Sequence, residues 1–163
     1  MRPSLATIAE DLVQQQIFTL FALASIGDNS AVPAVLEQVK NQDPSVRKIA
    51  AYASGVLGDP RAVDPLRPLL SDTKEDVRWN AALALALLGS DEGADLLMKV
   101  LEPGYVDTLQ DFTAEQKTEL RVNAVIALTK LKYEPALEKI RRLGESDPDL
   151  KVRGAALEAL KKF

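Results

Sequence analysis

One sequence block occurs twice at a fixed distance, and this repetition limits the possible folds more than any other feature of the chain. Val46–Gly58 reads VRKIAAYASGVLG, and Val77–Gly89, 31 residues further on, reads VRWNAALALALLG. Similar blocks surround Gln16, Arg121 and Arg153, with about 12 extra residues before Arg121. Self-similarity at such a period is typical of repeat proteins, in which each unit packs on its neighbours. We therefore predict an all-α repeat fold.

Shorter segments with apolar residues at helical spacing separate the blocks, as in Val63, Leu66 and Leu69. Ser4–Glu10 matches the end of such a segment, so the first helix pair is expected to be abbreviated. The chain reads as a single domain, 1–163, of about five helix pairs. The expected units are roughly 3–27, 28–58, 59–89, 90–132 and 133–163, with an insertion at 102–112.

Aspartate, proline and glycine mark the expected helix ends. An aspartate before a proline is a favourable helix start, because it supplies an N-cap acceptor and a residue that needs no hydrogen-bond donor. These starts are predicted at 43–44, 59–60 and 147–148. Glycine after the last periodic residue favours a left-handed C-cap. The predicted ends are Gly27, Gly58 and Gly89.

The stretch from Asp43 to Leu70 resembles the HEAT repeat family. It nearly matches D-P-x-V-R…A-A…L-G-D-x-R-A-V…L…L-L, the short alanine-rich form found in phycobilisome lyases. The resemblance implies a right-handed α-solenoid, an armadillo-like superhelix in which the short segment is the outer helix and the V-R block lines the concave side. It also implies a ladder of acidic or amide side chains and arginines between units. The matching positions are Asn41, Arg47, Asp72, Arg78, Glu115, Arg121, Asp147 and Arg153.

A band of apolar residues is predicted on the concave face. At about 100° per residue, each block has one buried stripe, and the opposite side would be polar if it faced only water. It is mostly apolar, which favours a partner-binding groove, although coverage by neighbouring repeats or by a flanking segment would also explain it. The proposed binding residues are Ile17, Phe21, Tyr52, Val56, Trp79, Leu83, Leu87, Val122 and Ile126.

The insertion is a second candidate site. It carries Tyr105 and Phe112 beside Asp107 and Asp111, and insertions in repeat arrays are often functional. Alternatively, the two aromatic residues only fasten the loop. A metal site formed by Asp107, Asp111 and Glu115 would lack the spacing of a known calcium loop, so we predict no metal and no cofactor.

Composition excludes several classes of function. Among the 163 residues there is neither cysteine nor histidine, so the commonest general base and metal ligand is absent. The net charge is -4, with no basic run, which argues against nucleic acid as a partner. No stretch approaches the ~18 apolar residues of a membrane span. We expect a cytoplasmic protein.

These observations favour a non-enzymatic scaffold or adaptor without catalytic residues, whose apolar groove binds a protein, a peptide, a helix or a second copy of the chain. The alternative is a chromophore-handling factor resembling a phycobilisome bilin lyase. Deoxyhypusine hydroxylases also resemble HEAT arrays, but bind iron through His-Glu pairs that this chain lacks. HEAT-like DNA glycosylases would need a basic concave face.

Overall fold

The computed structural model describes residues 4–163, and every regular element in this range is helical. The α-helices are α1 (Leu5–Ile26), α2 (Val32–Gln38), α3 (Pro44–Leu57), α4 (Val63–Leu66), α5 (Glu75–Leu87), α6 (Ala94–Val100), α7 (Ala114–Lys130), α8 (Leu137–Ser146) and α9 (Leu150–Leu160). Short 3-10 helices cover Asn29–Ala31, Pro60–Ala62, Arg67–Ser71, Val106–Thr108 and Glu134–Ala136. The fold is an all-α solenoid, as the repeat pattern predicts.

The helices form two layers. The V-R blocks fold into α1, α3, α5, α7 and α9, and each of these helices packs on the next in the row. The shorter segments form the second layer, where α2 lies on α3, α6 on α5 and α7, and α8 on α9. The side chains that point away from the second layer therefore share one face of the row, which we call the inner face.

The first unit differs from the predicted abbreviated pair. Residues 5–26 form one uninterrupted helix of 22 residues, capped by Ser4 and ended by Gly27. No glycine or proline occurs between Leu5 and Ile26, whereas the other short segments are separated from their V-R helices by breaks. Without a helix breaker, the two predicted helices join into one.

The outer segment at 60–71 is less regular than its apolar spacing suggests. It contains one turn of α-helix, α4, between two 3-10 helices. Pro65 and Pro68 explain this, because a proline donates no backbone hydrogen bond and clashes with the carbonyl four residues before it. The segment still buries Leu66 and Leu69 against the core.

Most of the predicted caps are present, and one is displaced. Asp43 accepts from the backbone N–H groups of Ser45 and Val46, and Asp59 accepts from that of Arg61. Gly27, Gly58 and Gly89 have φ values of 72°, 71° and 85°. The cap predicted at Asp147 lies at Asp149, and α9 starts at Leu150. Asp147 instead accepts a bond from the backbone of Asp149.

Helix α5 is the centre of the fold because it belongs to two hydrophobic clusters. Val77 and Leu85 pack with the cluster formed by the preceding helices. Trp79, Ala82 and Ala86 pack with the cluster formed by the insertion and the following helices. Within residues 4–163, no helix is both long enough and apolar enough to span a membrane.

Candidate functional site

An arginine ladder links α3 to α5 and α7 to α9. Arg47 donates two hydrogen bonds to the carboxylate of Asp72 in the next unit, at 2.7 and 3.0 Å. Arg78 donates to the backbone carbonyl of the same aspartate at 2.7 Å. Arg121 pairs likewise with the Asp147 carboxylate, whose carbonyl accepts from Arg153. Each aspartate therefore joins two units.

Two members of the predicted ladder have other roles. The side-chain amide of Asn41 bonds to Gln38 and to the backbone of Asp43. Arg47 donates a hydrogen bond only to the backbone carbonyl of Asn41 and not to its side chain. Glu115 lies 3.9 Å from Lys151, while Arg121 bonds to Asp147. The ladder is therefore interrupted between α5 and α7, where Arg78 pairs with Glu75 of its own helix at 3.1 Å.

The predicted apolar band is not continuous. Phe21, Tyr52, Val56 and Ile126 are exposed, and the rings of Phe21 and Tyr52 lie 5.7 Å apart. Ile17, Leu83, Leu87 and Val122 are half-buried. Trp79, expected at the centre of the exposed band, is only 2% exposed. The prediction that Trp79 is a surface anchor is therefore wrong.

The insertion covers Trp79. Phe112 and Tyr105 approach the indole edge-on, with ring centroids at 5.3 and 6.5 Å. Burial, followed by the nearby Glu75 carboxylate, raises the pKa of the Tyr105 hydroxyl. The packing agrees with the alternative in which these aromatic residues fasten the loop, and it leaves Val106 and Leu109 buried as well.

The acidic residues of the insertion face different regions. Asp111 lines a groove on the inner face, and Asp107 lines a separate hollow beside Arg121 and Lys139. Among residues 4–163, no three His, Cys, Asp or Glu side chains are arranged to hold a metal ion. The arrangement of Asp107, Asp111 and Glu115 considered from the sequence is therefore not formed.

The main candidate site is the groove between α5 and α7, which we call the α5–α7 groove. It has a volume of about 630 Å3 and opens on the inner face. Its floor and walls include Trp79, Leu83 and Phe112. Its polar lining consists of Lys48, Thr73, Lys74, Glu75, Asp76, Asn80, Asp111, Gln116, Glu119 and Asn123. Four carboxylates and two lysines give the lining a negative balance.

Existing contacts leave two of these carboxylates available. Asp76 pairs with Lys48 at 3.2 Å, and Glu75 pairs with Arg78. Within the described part of the chain, Asp111 and Glu119 form no ion pair and are exposed. An acidic groove with apolar walls can hold the charged end and the methylene chain of an aliphatic amine.

The sequence prediction missed the polar half of this groove. Asn80 and Asn123 each lie two residues after the block arginine, where the other blocks have Phe18, Ile49 and Ala155. A polar residue at this position only in the two helices that flank the groove is a signal that an apolar-band search ignores. No sequence pattern marks Glu119. The residues that face it across the groove depend on how α7 packs, which the sequence does not show.

The fold and the ladder define a helical-repeat protein, and comparison with known proteins identifies the family. The model for HEAT repeats matches residues 9–72 and 50–103. The chain belongs to the HEAT-repeat family.

A solved structure shares the fold. One chain of the complex of CpcE and CpcF of phycocyanin lyase from Nostoc sp. PCC7120 superposes with a TM-score of 0.55, covering 90% of this chain and 96% of that one at 21% identity. This likeness establishes the fold. That neighbour is part of a complex of two proteins.

Curated relatives carry the name of an enzyme. Deoxyhypusine hydroxylase from Drosophila melanogaster is 23% identical over 83% of this chain and 41% of its own length. The enzymes of Aspergillus oryzae and Schizosaccharomyces pombe are 30% and 29% identical, over 82% and 76% of this chain. The chain thus spans about two fifths of the length of these relatives.

These relatives correct two expectations. From the sequence we expect a non-enzymatic scaffold, with a bilin-lyase-like factor as the alternative, and no enzyme activity. Both predictions are wrong, because the matching proteins over most of the chain are named as a hydroxylase. The error came from the missing histidines, which exclude one kind of metal site but do not exclude common ancestry with an enzyme.

Proposed function

We propose that this chain holds the substrate of an enzyme that acts on a protein-borne aliphatic amine, the chemical class of deoxyhypusine. Deoxyhypusine is a lysine side chain extended by an aminobutyl group, so it is a flexible chain with cationic amines. The α5–α7 groove carries this proposal. Its carboxylates complement a cation, and its apolar floor suits methylene groups.

Four features of the groove support recognition of an amine. Asp111 and Glu119 come from the insertion and from α7, so they approach a ligand from two elements. Asn80 and Asn123 add amide oxygens from the facing helices. Phe112, which packs on the buried Trp79, and Leu83 give the groove an apolar wall for methylene groups. Asp76 already pairs with Lys48, an example of an aliphatic amine bound at the rim.

The residues of this chain do not fit the iron site that the resemblance to hydroxylases implies. These 163 residues include no histidine and no cysteine, and the acidic side chains of the described range do not converge as a metal site. Iron sites of such enzymes use imidazole and carboxylate ligands. In our proposal, these repeats bind and orient the amine, and the groups that perform the oxidation come from outside these 163 residues.

The protein or peptide partner of this proposal is the substrate protein that carries the amine, and the proposed location is the cytoplasm. The exposed Phe21, Tyr52 and Val56 extend the inner face beyond the groove. They offer apolar contacts for the residues that flank the modified side chain.

The test uses Trp79, the single tryptophan of the chain, as a fluorescence reporter at the groove wall. A peptide containing deoxyhypusine is titrated in parallel with the same peptide containing norleucine, which lacks the amines. We expect saturable binding of the first peptide only, weakening as salt is added because the contact is ionic.

Paired substitutions locate the binding site. Asp111→Asn together with Glu119→Gln is expected to weaken binding about tenfold or more, a loss of about 1.4 kcal/mol. Asp107→Asn is the matched control, since Asp107 belongs to the same insertion but lines a different hollow. Equal binding of both peptides, or equal effects of both variants, would contradict the proposal.

A further inference from the structure

Helix α1 exposes the surface that every later V-R helix buries. Counting back 31 residues from the buried stripe of α3 gives the equivalent positions on α1. The stripe of α3 is Val46, Ala50, Ala53 and Leu57, all at most 8% exposed. The equivalents on α1 are Gln15, Thr19, Ala22 and Ile26, all exposed. On α3 this stripe lies under α2, and α1 has no helix of its own in that place.

The chain contains equivalents of the residues that cover this stripe in the next unit. In the first unit, however, they continue α1 and do not fold back over the stripe. Leu5 and Ile8 are the equivalents of Leu36 and Val39, which pack with α3. In the first unit they belong to α1 itself, because residues 5–26 form one continuous helix. Leu5, Ile8 and Leu12 are 87, 42 and 56% exposed. The segment that is equivalent to α2 therefore does not lie over the exposed stripe of α1.

Together these residues form one continuous seam on α1, which we call the α1 seam. Its positions alternate steps of three and four residues. They are Leu5, Ile8, Leu12, Gln15, Thr19, Ala22 and Ile26. This spacing is the pattern by which one helix packs along another at a shallow angle. The opposite stripe of α1, with Leu20 and Ala24, is buried in the first hydrophobic cluster.

We propose that a second copy of this chain covers the α1 seam, with the two α1 helices antiparallel. In this arrangement Leu5, Ile8 and Leu12 of each copy lie on the 15–26 half of the other. Each copy thus supplies the outer helix that the other copy's first unit lacks. Exchange of an equivalent element is the simplest route to a symmetric dimer, and a two-fold axis pairs the same patch with itself.

The exposed area is of the right order for this contact. Leu5, Ile8, Leu12, Ile26 and the flanking Phe18 are 42 to 87% exposed. With roughly 150–200 Å2 for a side chain of this size, they present on the order of 500 Å2 of apolar surface. A standard interface takes about 800 Å2 from each partner, including its polar rim. The seam therefore supplies an apolar interface centre of ordinary size.

Charge favours the antiparallel orientation. Glu10 and Asp11 are the only charged residues of α1, and both are acidic. A parallel pair would place them side by side with their copies. With Leu5 of each copy opposite Ile26 of the other, an antiparallel pair separates these carboxylates from their copies by about 14–16 Å along the axis at a rise of 1.5 Å per residue, beyond the screening length of about 8 Å in physiological salt. Gln15 lies next to the two-fold axis, close to its own copy, where a polar pair fixes register.

Sedimentation equilibrium from micromolar to near-millimolar concentration tests the proposal. The unmodified chain is expected to form a dimer. Leu12→Asp is expected to give a monomer with unchanged circular dichroism, because Leu12 is exposed in the single chain. Leu150→Asp is the matched control: Leu150 is 74% exposed on α9, outside the seam, and the variant should remain a dimer.

A second pair of variants works in the opposite direction. Gln15→Leu makes the centre of the seam more apolar and is expected to tighten the dimer about tenfold or more. Gln14→Leu adds the same side chain on the same helix, but outside the seam, and is expected to leave the dimerisation constant within about twofold. A chain that is monomeric at every concentration would overturn the proposal, as would equal effects of Gln15→Leu and Gln14→Leu. The amine-binding experiment is unaffected by either result, since the groove lies within one chain.

Discussion

The two sides of α5 show two ways of joining neighbouring repeats. Towards α3 the helices approach closely: a Cβ atom on Gly55 would lie 2.8 Å from the Cα of Ala84, and the Arg47–Asp72 pair bridges the units. Towards α7 the contact is less extensive, and the Trp79 ring, with Tyr105 and Phe112, fills the space. The groove lies at this less extensive contact, where the bulky aromatic side chains pack between α5, α7 and the insertion.

The α5–α7 junction therefore differs from the α3–α5 junction in two ways: aromatic side chains pack there, and the ladder contact is missing. The insertion provides the aromatic residues that stabilise the wider junction, and it replaces the ladder contact that is missing there. The two junctions should therefore respond to substitution in opposite ways. At the α3–α5 junction, added side-chain atoms are expected to destabilise the protein. At the α5–α7 junction, removal of side-chain atoms is expected to destabilise it.

The largest effect is expected at the wide junction. Trp79→Ala should lower the free energy of unfolding by about 3–5 kcal/mol, since it leaves a cavity under Tyr105 and Phe112. Tyr52→Ala is the control, as Tyr52 is aromatic but 43% exposed on the same face, and it should cost about 1 kcal/mol or less. Urea denaturation followed by circular dichroism measures both. Equal losses would show that Trp79 is not needed to fill this junction.

At the close junction, Gly55→Ala should cost about 1–3 kcal/mol, because the added methyl group would meet the backbone of α5 and force α3 away. Gly154→Ala makes the same change on α9, where open space surrounds the site. It should stabilise the protein by about 0.5–1 kcal/mol through helix propensity. Thermal denaturation of the two variants compares them directly, and a stabilised Gly55→Ala protein would contradict close packing.

The smallest effect concerns the ladder and depends on pH. The hydrogen bonds from Arg47 lower the pKa of Asp72 below its ordinary value of 3.8. A lowered folded-state pKa adds stability that is present above 3.8 and is lost as the pH falls through the folded-state value. Asp72→Asn should therefore cost about 2 kcal/mol at pH 7, and the difference from the parent should shrink below pH 4.

The control for the ladder is Asp64→Asn, whose partner Arg67 is equally charged but lies at the surface. This change should cost about 0.5 kcal/mol or less at any pH. Denaturation curves collected between pH 3 and pH 7 provide the comparison. A pH-independent difference between Asp72→Asn and the parent would mean that the aspartate acts only through its backbone and its shape.

Local sequence was sufficient for most of the fold. The 31-residue period located the V-R helices α3 and α5, and the caps at Asp43, Gly27 and Gly58 behave as their chemistry requires. Failures occurred where two local signals competed. Asp147 and Asp149 are both possible N-caps of α9. Asp149 is the N-cap in the structure, because Asp147 bonds to Arg121 and Arg153.

The site was less predictable than the fold. The angular position around the helix placed Trp79 with Tyr52 and Val56 on the inner face. That angle shows which way a side chain points, but not whether another segment covers it. Whether a side chain on that face is exposed depends on the insertion, which is distant in sequence and folds over Trp79 alone. The prediction of a continuous apolar band failed for a related reason, since an apolar surface was inferred where the structure has an acidic groove.

The sequence alone determined the repeat, the helix type of each block and the arginine positions, because these follow from short-range periodicity and capping. Only the tertiary structure decided which arginine meets which aspartate, that Trp79 is buried, that Asp111 and Glu119 share one groove, and that α1 is a single helix with an uncovered seam. Those outcomes depend on how far neighbouring helices are held apart. That distance is set by the volume of side chains that are remote in the sequence, and no local pattern records it.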